Sequence, residues 1–201
     1  MADYRFRETP DAAPNAPLFL VFHGTGGDEN QFFNLGGQLL PGARVVAPRG
    51  DVNEGGALRF FRRLGNGVYD MDDLHLRTAS MIAFIKGQQA KHGASRIVAL
   101  GYSNGANILA SVQFAAPRLI ETAVLMHPLI PFQPEPQHFG NSRVLVTAGR
   151  HDPMAPQPVT QALADYFTAN GAGTSLFWHG GGHELRPEEL AEAQRFLTPA
   201  R

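Results

Sequence analysis

Short, continuous apolar runs alternate along this chain with longer segments whose apolar residues recur every three or four positions. The strand-length runs are Leu18–Phe22, Arg44–Ala47, Arg96–Leu100, Thr122–Met126, Arg143–Thr147 and Thr174–Trp178. They are apolar throughout rather than alternating, which predicts strands covered on both faces, as in a parallel sheet. Between them the pattern predicts helices over Met71–Lys91, Ala106–Ala115, Pro158–Asn170 and Pro187–Leu197. The first places Leu74, Thr78, Met81, Ile82 and Ile85 on one face. The last opens on Pro187, followed by Glu188 and Glu189, which suit the positive end of a helix dipole. Strand–helix alternation predicts an α/β fold: a mostly parallel sheet with right-handed crossovers and helices on both faces. No repeat, linker or second core interrupts it, so residues 1–201 are expected to form one domain.

In an open parallel sheet, ligands bind at the carboxyl ends of the strands. Five stretches fall there: Gly24–Gly27, Gly50–Asp73, His127–Ser142, His151–Pro156 and Gly180–His183. Composition narrows what they can do. A formal net charge of −1, without a long run of one sign, gives no nucleic-acid surface. The chain has no cysteine, so disulfides, thiolate metal sites and a cysteine nucleophile are excluded. With 43% hydrophobic and 17% charged residues it reads as globular. No apolar stretch approaches membrane-spanning length and the first residues lack a signal-like apolar segment, so a cytoplasmic protein is expected.

The chemistry is carried by "GYSNG", Gly101–Gly105, between an apolar strand and a helical pattern. Glycines and serine also make ordinary turns, but strand–turn–helix is the setting of a nucleophile elbow, which lifts a serine hydroxyl above the sheet. Such a serine needs a base, and the base an orienting acid, in the chain order Ser, acid, His. "AGRHDPMAP" offers Asp152 just past a strand, and "WHGGGHEL" offers His183 past the last one. Asp165 looks helical and Glu184 follows the histidine, so both are weaker acids. His179 and His151 compete for the base role but lie closer to their strands. The oxyanion donors expected by this template are the backbone amides of Asn104 and of Thr25 in "FHGTGGDE", where His23 braces the loop. The nucleotide-loop reading fails because Glu29 stands where a third glycine belongs. His179 and His183 are separated by glycines and no H-E-x-x-H occurs, so no metal and no cofactor are expected.

"FHGTGGDE", "GYSNGAN", "AGRHDPMAP" and "GGHEL" resemble, in content and order, the α/β-hydrolases of the phospholipase/carboxylesterase type, which include acyl-protein thioesterases. The resemblance runs from Pro17 to Phe196. It implies an α/β-hydrolase fold without a large cap domain, a triad of Ser103, Asp152 and His183, and oxyanion donors at Thr25 and Asn104. Asn104 stands where thioesterases of this group typically carry Gln, Thr25 where they carry a hydrophobic residue, and His127-Pro128 where they tend to show Ser-Gly. These departures favour a carboxylesterase for small soluble esters over a thioesterase or lysophospholipase. A catalytically silent binding protein is the reading from another class. Phe60, Phe61 and Met154 are expected on the substrate-binding wall. Arg62 and Arg63 read as solvated loop charges, with an acidic substrate as their alternative role. The prolines of His127–Ser142 oppose a helical lid. A small-molecule ester is the expected partner, and a homodimer stays open as an assembly.

Overall fold

A computed structural model of the chain describes residues 4–198. Its strands are β1 (Phe6–Glu8), β2 (Leu18–Phe22), β3 (Arg44–Pro48), β4 (Val52–Glu54), β5 (Ala57–Arg59), β6 (Arg63–Gly65), β7 (Val68–Tyr69), β8 (Ile97–Tyr102), β9 (Thr122–Met126), β10 (Arg143–Gly149) and β11 (Gly173–His179). Its helices are α1 (Phe33–Leu39), α2 (Met71–His92), α3 (Asn104–Ala115), α4 (Gln157–Ala169) and α5 (Pro187–Leu197). Seven strands form the main sheet in the order β1-β3-β2-β8-β9-β10-β11. All its neighbours pair in parallel except β1, which runs antiparallel to β3 at the edge.

The apolar runs are continuous because both faces are covered. Along β2, Leu18, Leu20 and Phe22 face one layer while Phe19 and Val21 face the other. In β8 the same division puts Ile97 and Ala99 opposite Val98 and Leu100. The first layer is closed by Leu74, Met81 and Ile85 of α2, Ile108 and Leu109 of α3, and Leu163 and Phe167 of α4. The second is closed by Leu39 of α1 and by Ala193, Phe196 and Leu197 of α5. This is the expected α/β-hydrolase architecture. The connection from His127 to Ser142 runs without a helix, and no cap is inserted there.

Strand order reverses between β2 and β8: from β2 the chain passes to β3 on one side, and β8 lies on the other. The loops after these two strands therefore border one crevice. The stretch 50–73, read from sequence as glycine-rich loop, forms two small antiparallel ribbons, β4–β5 and β6–β7. They stand beside the crevice.

The glycines of the elbow act by permitting close approach. A Cβ on Gly101 would lie 2.5 Å from the Gly105 carbonyl oxygen, and one on Gly105 would lie 2.5 Å from those of Phe22 and His23. The end of β2, the end of β8 and the first turn of α3 thus meet backbone to backbone. Gly105→Ala is expected to cost about 1–3 kcal/mol of stability as an overpacked site. Gly37→Ala, on the exposed side of α1 with nothing within 4 Å of the added carbon, should be neutral or stabilising by up to about 1 kcal/mol. Urea unfolding of both variants checks the contrast.

Candidate active site

Ser103 links β8 to α3 with φ 51° and ψ −115°. The serine itself carries the strain of the turn, a left-handed φ being costly for a residue with a Cβ. The conformation lifts Oγ off the sheet, where it donates to His183 Nε2 at 2.9 Å. His183 Nδ1–H donates to Asp152 Oδ2 at 2.7 Å. Asp152 Oδ1 accepts the amides of Met154 at 2.8 Å and Ala155 at 3.0 Å, which fixes the carboxylate plane.

The histidine loop is held from two sides. Tyr102 Oη donates to the His183 carbonyl at 2.7 Å. Gly149, at the end of β10, lets the loop press against it, since a Cβ there would lie 2.0 Å from the Gly182 oxygen. Asn104 starts α3, so its amide has no acceptor within the helix. Its side-chain Oδ1 accepts the Phe60 amide at 2.7 Å. Thr25 lies on the facing loop, and both residues line the cleft. His23 braces that loop: its Nδ1–H donates to the Gly24 carbonyl at 2.7 Å while Nε2 accepts the Gly50 amide at 2.8 Å. That pattern belongs to a neutral ring, and burial pushes its pKa below the ordinary value.

Behind Asp152 lies a cluster that the sequence did not reveal. His127, at the end of β9, is fully buried with φ 52°. Its Nδ1–H donates to Asp152 Oδ2 at 2.8 Å, so two imidazoles share one carboxylate oxygen. Its Nε2–H faces Glu189, 3.2 Å from Oε1 and 3.4 Å from Oε2. Glu189, also fully buried, accepts from Thr147 Oγ1 and from the Arg186 amide. Burial alone would press the His127 pKa down, but the hydrogen bonds and charges of Glu189 and Asp152 prevail and hold it above the ordinary value. Burial likewise raises both carboxylates, and hydrogen bonds outweigh it, leaving each below the usual range. His127 is thus a buried imidazolium between two carboxylates. The available signal was the His127-Pro128 pair directly after the strand run Thr122–Met126.

Two groups of three side chains hold potential ligand atoms within 4.8 Å of one another: His127, Asp152 and His183, and His127, His179 and Glu189. The pair weighed from sequence, His179 with His183, is in neither. The donor chemistry does not fit a cation. Gly181 N–H donates to His179 Nδ1, so neutral His179 carries its proton on Nε2, the atom that faces the cluster. In the other group, Asp152 Oδ2 already accepts two imidazole protons and His183 Nε2 takes the serine's.

The cleft above Ser103 has a volume of about 440 Å³. Its lining combines apolar Leu129, Met154 and Val159 with polar Arg59, Arg63 and Asn66. Met154 lines the cleft. Phe60 and Phe61 do not: both are fully buried in the core, where Phe60 packs edge-on against Phe22 and Phe61 against Tyr69. Both follow the end of β5 in the bend before β6, and the residues of this stretch that line the cleft include Arg59 and Arg63. His151 is exposed and Asp165 lies on the outer face of α4, bonded to Gln161.

No family model matches the chain. MhqD of Bacillus subtilis (strain 168), a protein named as a hydrolase, is 37% identical over 186 residues, covering 91% of this chain and 93% of MhqD. Among solved structures, a protein of unknown function from Agrobacterium tumefaciens strain C58 shares 49% identity with a TM-score of 0.93, over 96% of this chain and 95% of that one. A Bacillus cereus carboxylesterase shares 32% identity with a TM-score of 0.90, over 96% of this chain and 92% of that one.

The buried cluster makes stability depend on pH in both directions. Asp152 and Glu189, held low, contribute above the ordinary carboxylate range of about 4, and lose the contribution as pH falls through their folded values. His127, held high, contributes fully below its ordinary value of about 6.5, and loses the contribution as pH rises through the raised one. The titratable groups facing it are Tyr102, Asp152, His179, His183 and Glu189. Melting temperature is therefore expected to fall on the alkaline side, and His127→Gln to remove that decline while lowering stability at about pH 6. Calorimetry from pH 5 to 9 on both proteins checks it; parallel profiles would contradict the assignment.

Proposed function

The chain belongs to the α/β-hydrolase esterase family, and on that premise we propose that it cleaves carboxylic esters of small soluble substrates through an acyl-enzyme on Ser103. The observation that carries this reading is the hydrogen-bonded chain Ser103–His183–Asp152, at 2.9 and 2.7 Å. His183 Nε2 accepts the hydroxyl proton as Oγ attacks the ester carbonyl. Asp152 holds the Nδ1–H tautomer, so the lone pair on Nε2 faces the serine. Negative charge then develops on the carbonyl oxygen, where the amides of Thr25 and Asn104 are the proposed donors. The imidazolium returns its proton to the leaving alcohol. Water repeats the sequence on the acyl-enzyme and releases the acid and the free serine.

The uncapped cleft supports a small substrate. Its apolar lining consists of a few residues around Leu129, Met154 and Val159, a surface suited to a short acyl group. Each further CH₂ would gain about 0.8 kcal/mol only if it found cover. Rates are expected to peak at short acyl chains and to show no jump when the substrate passes its solubility limit. Ester series of increasing chain length, followed through that limit, test this.

Ser103→Ala should lower kcat on the order of 10⁶-fold and abolish labelling by a fluorophosphonate. Asp152→Asn should cost about 10⁴-fold, the loss seen when the acid of such a triad can no longer hold the tautomer. Asp165→Asn, on the exposed face of α4, should change little. A Ser103→Ala variant that kept a few per cent of esterase activity, or a labelled residue other than Ser103, would overturn the assignment.

A further inference from the structure

The polar lining of the cleft holds more positive charge than the protein neutralises. Arg59 sits at the end of β5 with its side chain 5% exposed. Its Nη1 donates to Thr25 Oγ1 at 2.7 Å and its Nε to the Phe61 carbonyl at 3.3 Å, while its guanidinium lies 5.6 Å from the centre of the Phe61 ring. The carboxylate facing it is Glu54, 3.6 Å from Nε. That carboxylate is already engaged by Arg63, whose Nε donates to both oxygens at 2.9 and 3.1 Å and whose Nη1 donates to Asn66 at 3.0 Å. Two guanidiniums thus share one carboxylate. No acceptor among the described residues engages Nη2 of either arginine. Among the residues lining the cleft there is no Asp or Glu.

A buried guanidinium is costly unless a charge or a full set of acceptors meets it. Arg59 has half a carboxylate and an open edge. The chain as a whole carries a net charge of −1, so this positive wall is local, and it stands beside Ser103. The surface alternative fits Arg62, whose side chain is 59% exposed and paired with Asp70 at 3.0 Å; it does not fit Arg63, which is 27% exposed and on the wall. Guanidinium groups recognise planar carboxylates in bidentate fashion through their paired N–H donors.

We infer that the cleft selects esters bearing a second, free carboxylate, held by Arg59 and Arg63 while the ester carbonyl lies at Ser103. The inference rests on the esterase reading and adds the substrate class. The acid belongs to the acyl part or to the alcohol part, and paired substrates separate the two. An aryl hemisuccinate carries it on the acyl side, and 4-acetoxybenzoate on the leaving-group side. An aryl butyrate and 4-acetoxytoluene are their neutral counterparts.

For the wild type, kcat/KM should favour the charged member of at least one pair by about tenfold or more, the scale of a single charge-assisted hydrogen bond. Arg63→Gln should erase most of that ratio, and Arg63→Glu should reverse it. Arg62→Gln should leave the ratio unchanged. Salt should reduce the preference, because the wall is partly open to solvent. Binding of monomethyl succinate to Ser103→Ala, by calorimetry, reads the subsite without turnover and should weaken about tenfold in the Arg63→Gln background. A wild type that cleaves neutral and charged esters equally, with no binding of monomethyl succinate, overturns the inference and leaves the esterase reading intact. Binding without any ester cleavage supports the subsite and sinks the esterase reading instead.

Discussion

A single carboxylate oxygen, Oδ2 of Asp152, accepts protons from two imidazoles, His183 at 2.7 Å and His127 at 2.8 Å. Neither ring can turn without breaking that shared contact, and the carboxylate cannot turn because two backbone amides hold its other oxygen. The groups it joins come from separate parts of the chain: the loop after β10, the corner after β9 and the loop after β11. His127 extends the join to Glu189 and hence to α5. The carboxyl ends of three adjacent strands and the helix beneath them are thereby tied at one point. Removing any member would leave a buried charge without its partner, which is why such clusters hold their geometry.

Ser103 is fixed differently, by space. Ser103 occupies a left-handed conformation that its side chain opposes. The turn persists because Gly101 and Gly105 let three backbone segments pack without intervening side chains. Packing thus positions the serine, while charge and hydrogen bonding position the histidine and the acid. The two constraints meet in the bond from Ser103 Oγ to His183 Nε2.

The strand runs, the elbow motif and the order of Ser103, Asp152 and His183 were legible because each is local: a buried run, a short spacing, a residue just past a strand. What escaped was set by contacts between distant segments. Helix α1 was invisible because Gly36 and Gly37 dilute its apolar period, yet Gly36 is needed where a Cβ would lie 3.0–3.1 Å from methyl carbons of Val21 and Val45. Strand β1 is three residues at an edge, too short to carry a pattern. The ribbons β4–β7 read as loop because their glycines outweigh their short pairings. Glu189 showed its local role, the first turn of α5, but its contact with His127 is 62 residues distant in sequence. Phe60 and Phe61 look like a pocket wall as a pair, and only their packing against Phe22 and Tyr69 shows that they belong to the core while Arg59 and Arg63 line the cleft.

The charges around Ser103 also have a direction. Asp152 and Glu189 are two carboxylates with His127 between them, a group that is net negative while His127 is protonated. Arg59 and Arg63, with the Glu54 carboxylate between them, form a net positive group, and Arg59 is bonded directly to Thr25. Under the proposed roles, ester attack moves a proton, and with it positive charge, onto His183 beside the negative group. The same step places negative charge on the carbonyl oxygen beside Thr25 and the positive group. Both displacements follow the field already present in the folded chain. A field that is in place before the reaction needs no reorganisation during it, which is the condition under which electrostatics lowers a barrier most. Under the inferred subsite, the same asymmetry would draw the carboxylate of an anionic substrate toward the arginines. Under both proposals, recognition and catalysis would draw on one arrangement of charge.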